Sequence, residues 1–198
     1  MMKLGIFDMG GVVVQDYQIW PRLRRFLGYA EHETIAPAFD TVLAEYVCGF
    51  ISEAEVWKRY TRITDRALPP HEGSLMAKFF TPCKDAALVE LILKLKAQGI
   101  RIVCGTNTID AHYAVHKRLR QYDDFDTVYA SHLIHKAKPN TAFFTHILAA
   151  EGALPEEAFF IDDHPSNVDA AASLGIAAFV FSSAPALAER LRAAAVLV

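Results

Sequence analysis

The sequence predicts an α/β fold, a three-layer sandwich in which a parallel sheet lies between two layers of helices. Short apolar runs of strand length alternate with longer stretches of helical period, a pattern typical of βαβ units. The runs are apolar on both faces, as expected for strands that helices cover on each side. Residues 17–82 contain no convincing strand, which indicates a helical insertion after the first strand.

The strands are expected at the apolar runs, each of which is followed by turn residues. The first run meets Asp8 and two glycines, and the second ends in a Gly-Thr-Asn-Thr segment. Because helix-length segments separate most of the runs, we expect the strands to pair in parallel. The runs cover residues 4–7, 100–104, 127–130, 158–161 and 177–181.

Helices between the later strands are predicted by apolar stripes and by stop signals. In residues 85–98 the stripe has helical spacing, and Gly99 follows as the stop. Residues 140–151 end in the same way at Gly152. In residues 165–174, Pro165 suits the first helical turn and Gly175 suits the end. These segments supply the crossovers that a parallel sheet requires.

The insertion is expected to consist of helices alone. Ser52 followed by Glu55 predicts a capping box at the start of its third helix. We therefore divide the chain into an α/β core of residues 1–16 and 83–198 and a helical cap of residues 17–82. The cap helices are expected around residues 22–29, 38–48, 53–64 and 72–80.

Composition excludes several classes of protein. The chain has 198 residues, 53% of them hydrophobic, which suits one folded domain with an insertion. Its net charge of −3 argues against a nucleic-acid partner, and no apolar stretch reaches the roughly 18 residues of a membrane span. The cysteines form no CxxC motif and no Cys/His cluster, which argues against zinc modules and favours a reducing, cytoplasmic compartment. The sequence does not indicate the oligomeric state.

Polar side chains follow the predicted strands at the points where they end. Because the carboxyl ends of parallel strands meet at one edge of a sheet, we expect these side chains to lie together. Clustered carboxylates repel one another unless a cation neutralises them, and hard oxygen ligands suit Mg²⁺. A lysine and a hydroxyl beside such a centre suit a phosphoryl group, which an aspartate can attack to form an aspartyl-phosphate. The candidates are Asp8, Asp162 and Asp163, the hydroxyl and amide side chains of residues 106–108, and at least one of Lys136 and Lys138.

The segments that carry these residues resemble the four motifs of the haloacid dehalogenase-like hydrolase superfamily, in the family's order. The resemblance implies a Rossmann-like core, a helical cap between the first two motifs, and a Mg²⁺-dependent phosphatase activity. Within the superfamily, the chain resembles the branch of glucose-1-phosphate-type sugar phosphatases and the N-terminal domains of soluble epoxide hydrolases. The expected substrate is a small phosphorylated metabolite such as a sugar phosphate. The motifs lie at residues 7–13, 103–108, 138–139 and 159–163.

For the phosphoryl group, the resemblance implies that Asp8 is the nucleophile and that Thr106 and Lys138 bind its oxygens. Asn107 is expected to orient the substrate or the nucleophile. The proline after Lys138 favours this lysine over Lys136, which we interpret as a surface charge. Without the other motifs, Asp8 would be interpreted as a turn cap, and Thr106 and Asn107 as ordinary turn residues.

For the metal, the resemblance implies that Mg²⁺ is held by Asp8, the carbonyl of Gly10 and Asp163. Asp162 is expected to be an indirect or water-mediated ligand. The acidic pair also suits the N-terminus of the following helix, whose dipole favours negative charge. His164 and Asn167 follow the pair and are interpreted as an exposed loop histidine and a loop support.

Gly10 departs from the family pattern. Most phosphatases of the superfamily carry an aspartate two residues after the nucleophile, where it acts as general acid and base. Some members of the resembled branch also have glycine there. Gly10 therefore leaves open a catalytically silent binding or regulatory protein as an alternative. A haloacid dehalogenase, in which the aspartate attacks carbon without a metal, is disfavoured by the acidic pair.

Overall fold

The computed structural model describes residues 2–197 and confirms the α/β fold. The strands form a five-stranded sheet in the order β5-β4-β1-β6-β7 and a separate two-stranded ladder, and every pair in the larger sheet is parallel. The apolar runs expected to be strands make up this larger sheet. The strands are β1 (Leu4–Phe7), β2 (Val14–Gln15), β3 (Cys83–Lys84), β4 (Arg101–Thr106), β5 (Thr127–Ala130), β6 (Ala158–Asp162) and β7 (Ala177–Val180).

Helices cover both faces of this sheet and form the segment between β2 and β3. A 3-10 turn at Pro155–Glu157 precedes β6. The helices are α1 (Trp20–Phe26), α2 (Ala38–Val47), α3 (Glu53–Thr64), α4 (Leu75–Lys78), α5 (Ala86–Ala97), α6 (Asp110–Arg118), α7 (Ser131–Ile134), α8 (Thr141–Glu151), α9 (Pro165–Ala172) and α10 (Ala184–Ala193). None of the helices within residues 2–197 has the length and apolar character needed to cross a membrane.

The three layers follow from the alternation of side chains along the strands. Phe7, Phe159 and Ile161 face one side, where they share an apolar cluster with α5 and α10. Their neighbours Ile6 and Phe160 face the other side, in a cluster with α8 and part of α9. Because successive strand residues point to opposite faces, a sheet with apolar residues at both registers must be covered twice.

The helix boundaries in the core follow the local signals. The Asp85 carboxylate accepts from the backbone N–H groups of Ala87 and Leu88 at 2.9 and 3.1 Å, which caps α5. Gly99, just past the end of α5, has a φ of +83°, a conformation that glycine adopts without strain. Pro165 is the first residue of α9, as expected.

Residues 17–82, here called the helical segment, contain α1 to α4 and most of an apolar cluster that Ile109 and Val115 of the core complete. Ser52 caps α3, but Glu55 pairs with Lys58 and Arg59 instead of closing the capping box. The first helix starts at Trp20 and ends before Gly28, whose φ is +80°, so it lies earlier than expected. The fourth helix is only Leu75–Lys78, shorter than the expected residues 72–80.

The helical segment leaves and rejoins the core through the β2–β3 ladder. Gln15 pairs with Cys83 and Val14 with Lys84 in antiparallel register. The far end of the segment touches the core again, where the Tyr46 hydroxyl donates to the Asp110 carboxylate at 2.5 Å. The segment is therefore held at both ends over the carboxyl edge of the sheet.

Candidate active site

Adjacent strands bring the predicted site residues to one edge of the sheet. Asp8 follows β1, Thr106 ends β4 and Asp162 ends β6. Because β4, β1 and β6 are neighbours in the sheet, these three residues come together although they are far apart in the sequence. Lys138 reaches the same edge from the loop between α7 and α8, where it is buried.

Lys138 forms ion pairs with two carboxylates. Its Nζ lies 2.8 Å from Asp8 Oδ1 and 2.6 Å from Asp162 Oδ2, and its side chain is 1% exposed. Burial alone would lower the pKa of Lys138, but the attraction of Asp8 and Asp162 outweighs it and raises the pKa above the ordinary value. Lys138 is therefore a fixed positive charge beside Asp8.

Asn107 holds the backbone of Lys138 in place. Its Nδ2 donates to the Lys138 carbonyl at 2.8 Å, and its Oδ1 accepts from the Lys138 N–H at 2.8 Å. This reciprocal pair joins the loop after β4 to the loop that carries the lysine. The amide thus acts on the position of Lys138, a contact that the sequence did not predict.

Asp8 is a buried carboxyl with a perturbed pKa. Burial raises the pKa of Asp8 to about 6, because the lowering effect of Lys138 is smaller and Asp162 adds repulsion. The backbone fixes Asp8 at the strand end, since its N–H donates to the Ile161 carbonyl at 2.9 Å. A carboxyl with this pKa is mostly ionised at neutral pH, as a nucleophile must be.

Asp162 and Asp163 have different surroundings, although they are neighbours in the chain. Asn167 Nδ2 lies 3.0 Å from both oxygens of Asp162, and the His164 N–H donates to Oδ1 at 2.8 Å. Together with the Lys138 contact, these bonds occupy both oxygens of the Asp162 carboxylate. Asn167, interpreted from sequence as a loop support, therefore holds Asp162.

Asp163, in contrast, has a buried oxygen without a partner among the described residues. No hydrogen bond to its Oδ1 occurs within residues 2–197, although this atom is shielded from solvent. Its Oδ2 lies 3.5 Å from the Tyr17 hydroxyl. An unpaired buried carboxylate oxygen is costly unless a ligand satisfies it, so Asp163 is the carboxylate with a free coordination position.

The carboxylates could hold a metal ion as a group. One oxygen each from Asp8, Asp162 and Asp163 lies within 4.8 Å of the others. Three carboxylates against the single charge of Lys138 leave an excess of negative charge in a mostly buried place, which a divalent cation would offset. Hard oxygen donors with open positions fit Mg²⁺.

The turn after β1 needs its glycine at position 11. Gly11 has a φ of +79°, and a Cβ there would lie 2.3 Å from Asp163 Oδ2. A side chain is therefore excluded both by the backbone conformation and by the approach of the carboxylate. The glycine lets Asp163 come close to the β1 turn.

A cavity of about 250 Å³ lies between this edge and the helical segment. It has no Asp, Glu, Lys or Arg in its lining, and burial lowers the pKa of His112 to about 4, which keeps this histidine neutral at pH 7. A larger cleft of about 540 Å³ on the helical segment shares Trp20 and Leu43 with the cavity, but its lining lacks Tyr17 and Asn107, the residues by which the cavity reaches the site. The cavity is lined by Tyr17, Gln18, Ile19, Trp20, Leu43, Tyr46, Val47, Met76, Asn107, Thr108, Ile109 and His112.

Comparison with known proteins finds phosphatases and a solved hydrolase among the relatives of this chain. The chain is 26% identical to the sesquiterpene phosphatase astK of Aspergillus oryzae, with 96% of this chain and 95% of the relative covered. It is 25% identical to the D-ribitol-5-phosphate phosphatase of Bacteroides thetaiotaomicron, with 90% and 91% covered. A solved HAD-like family hydrolase from Porphyromonas gingivalis superposes with a TM-score of 0.77 at 25% identity, with 97% and 98% covered.

The strongest assignment comes from a family model that matches nearly the whole chain. The model for haloacid dehalogenase-like hydrolases covers residues 2–175, which include every motif identified in the sequence. The chain belongs to the haloacid dehalogenase-like hydrolase family.

Proposed function

We propose that this hydrolase cleaves small phosphate monoesters with the help of Mg²⁺, through an aspartyl-phosphate formed on Asp8. The observation that carries the proposal is the geometry around Lys138, a buried cation 2.8 Å from the Asp8 carboxylate. A fixed positive charge this close to Asp8 supports the proposal, because it would stabilise the phosphoryl oxygens of a substrate that Asp8 attacks.

In this proposal, each of four residues has its own role in phosphoryl transfer. The Asp8 carboxylate forms a bond to phosphorus while the bond to the leaving alcohol breaks, and water then hydrolyses the aspartyl-phosphate. Lys138 stabilises the charge on the phosphoryl oxygens, and Thr106, the last residue of β4, would donate its hydroxyl to them. Asn107 keeps Lys138 in position through its backbone.

The metal would be held by Asp8, the Gly10 carbonyl and Asp163, with Asp162 acting indirectly. This choice between the two neighbouring aspartates rests on their partners, since the Asp162 oxygens are occupied and Asp163 Oδ1 is not. When bound, Mg²⁺ supplies positive charge that offsets the carboxylates and the phosphoryl group.

The cavity beside the site indicates the kind of leaving group. With no charged side chain in the lining, it suits a neutral alcohol and disfavours a leaving group that carries a second phosphate or a carboxylate. Its volume of about 250 Å³ suits a small group. Sugar phosphates without further charge satisfy both conditions. The two named relatives have very different leaving groups, so the family alone does not select one.

A screen of phosphorylated metabolites, with Mg²⁺ and with EDTA, tests the proposal. We expect inorganic phosphate to be released from monoesters of uncharged alcohols, and only when Mg²⁺ is present. Asp8→Asn should reduce turnover by several orders of magnitude, whereas the matched control Asp169→Asn, at an exposed position on α9, should not.

Other outcomes would contradict the proposal in distinct ways. Full activity in EDTA would exclude the metal-dependent mechanism. Release of chloride from haloacids without phosphatase activity would identify a dehalogenase. A protein that binds phosphorylated ligands without turnover would be the silent binding protein that Gly10 leaves open.

A further inference from the structure

The space that a side chain at position 10 would use is filled by another residue. A Cβ built on Gly10 would lie 2.9 Å from Cδ2, 3.1 Å from Cε2 and 3.3 Å from Cγ of Tyr17. Contacts this short require the ring to move, and the Cγ contact shows that the whole ring, including its root, lies against the glycine. The φ of Gly10 lies outside the left-handed region, so its backbone would accept a side chain. Tyr17 is therefore the obstacle.

The hydroxyl of the same ring reaches the carboxylates. Tyr17 Oη lies 3.5 Å from Asp163 Oδ2 and would lie 3.1 Å from a Cβ on Gly11. The ring thus passes over two consecutive glycines and ends beside Asp163. Tyr17 also lines the uncharged cavity, so the same side chain borders both the site carboxylates and the place proposed for the leaving group.

Packing holds the ring in this place. Tyr17 contacts the apolar cluster beneath the sheet edge and also the cluster of the helical segment. The side chain is therefore fixed between two packed bodies, which restricts its rotamers. The hydrogen bond to Asp163 is long at 3.5 Å, so the hydroxyl can turn to a ligand at little cost.

We propose that Tyr17 replaces the side chain that Gly10 lacks: its ring fills the space at position 10, and its hydroxyl donates a hydrogen bond to the leaving-group oxygen of the substrate. This inference rests on the proposed phosphatase function. The proton stays on the phenol, because a tyrosine hydroxyl is a weak acid at neutral pH. Tyr17 therefore orients and stabilises the leaving group without acting as a general acid or base.

Leaving-group dependence tests the role of the hydroxyl. Tyr17→Phe keeps the ring and removes only the donor. We expect kcat/KM to fall about tenfold for alkyl phosphates, whose leaving oxygen develops full charge, and less than about threefold for aryl phosphates. The matched control is Tyr29→Phe, which removes a hydroxyl bonded to Tyr60 in the helical segment and should change neither value. An equal loss for both substrate classes, or no loss, would overturn the role of the hydroxyl.

A double-mutant cycle in urea unfolding tests the role of the ring without any need for activity. Gly10→Ala should destabilise the protein that has Tyr17, and it should cost much less in the Tyr17→Ala protein, where the space is open. Additive effects would show that the ring does not occupy the position-10 space. An activity assay gives a separate check. Gly10→Asp should release phosphate in the Tyr17→Ala protein, where the aspartate has room, and should not do so in the protein that keeps Tyr17.

The two proposals fail in distinguishable ways. A wild-type protein that releases no phosphate from any monoester would reject the phosphatase function and, with it, the role of the Tyr17 hydroxyl. A wild-type protein that is active, together with a flat leaving-group response in Tyr17→Phe, would reject the Tyr17 inference alone.

Discussion

Replacement of Asp8 by asparagine should stabilise the metal-free protein, and the gain should depend on pH. Asp8 is buried, and its pKa is raised from the ordinary 3.8 to about 6. The folded protein therefore holds the Asp8 proton more tightly than the unfolded chain does. Ionisation of Asp8 costs folding free energy that an asparagine of the same shape does not, while Lys138 keeps Asp162 as a partner in the variant.

The magnitude follows from the size of the pKa shift. A rise of about two units at about 1.4 kcal/mol per unit gives about 3 kcal/mol. The sign is fixed by the direction of the shift. Below pH 3.8 the carboxyl is protonated in both states and the cost is absent; it grows as the pH rises to about 6 and is constant above that. From low pH to pH 8, the free energy of unfolding of the variant should therefore rise by about 3 kcal/mol relative to that of the wild type.

Urea unfolding of both proteins in EDTA, from pH 4 to pH 8, measures this difference. Titrating groups distant from Asp8 contribute equally to the two proteins, so their contributions cancel when the curves are subtracted. Addition of Mg²⁺ should then stabilise the wild type by about 2.7 kcal/mol at a hundredfold excess over Kd, and the variant much less. A difference that does not change with pH in EDTA would refute the burial argument for Asp8.

Three further results are expected. Lys138→Met should destabilise the fold by about 3–5 kcal/mol in urea unfolding, since it leaves two buried carboxylates without their cation. Gly5→Ala should cost about 1–3 kcal/mol in the same assay, because its Cβ would lie 2.5 Å from Cζ of Phe159. An aryl phosphate should give a burst of phenol in rapid-quench experiments, because Gly10 offers no base for the hydrolysis step; a linear time course would contradict slow dephosphorylation.

Much of the sheet was predictable because its signals are local. Each strand is a short apolar run, and polar residues mark its end, so Asp8, Thr106 and Asp162 were expected at one edge. Core helix ends were equally clear, since Gly99 and Gly152 stop helices by their own conformational freedom. The β2–β3 ladder was missed, because two-residue strands are too short to show any periodicity.

The finer geometry of the site depends on contacts between distant segments. Sequence order alone does not show that Asn107 holds the Lys138 backbone or that Asn167 occupies Asp162. The position of Tyr17 against Gly10 follows from the path of the chain after β2, which no local pattern encodes. The roles of these residues in catalysis stay predictions until the variants are measured.

The β2–β3 ladder has a consequence for how such a protein can diversify. Gln15 and Cys83 are direct partners in antiparallel register, so the chain leaves the core and re-enters it at adjacent positions. A two-residue hairpin turn could join these strands directly. We therefore expect that the segment between Gln15 and Cys83 can be varied without shifting the register of the central sheet, which carries Asp8 and Asp162 at its edge.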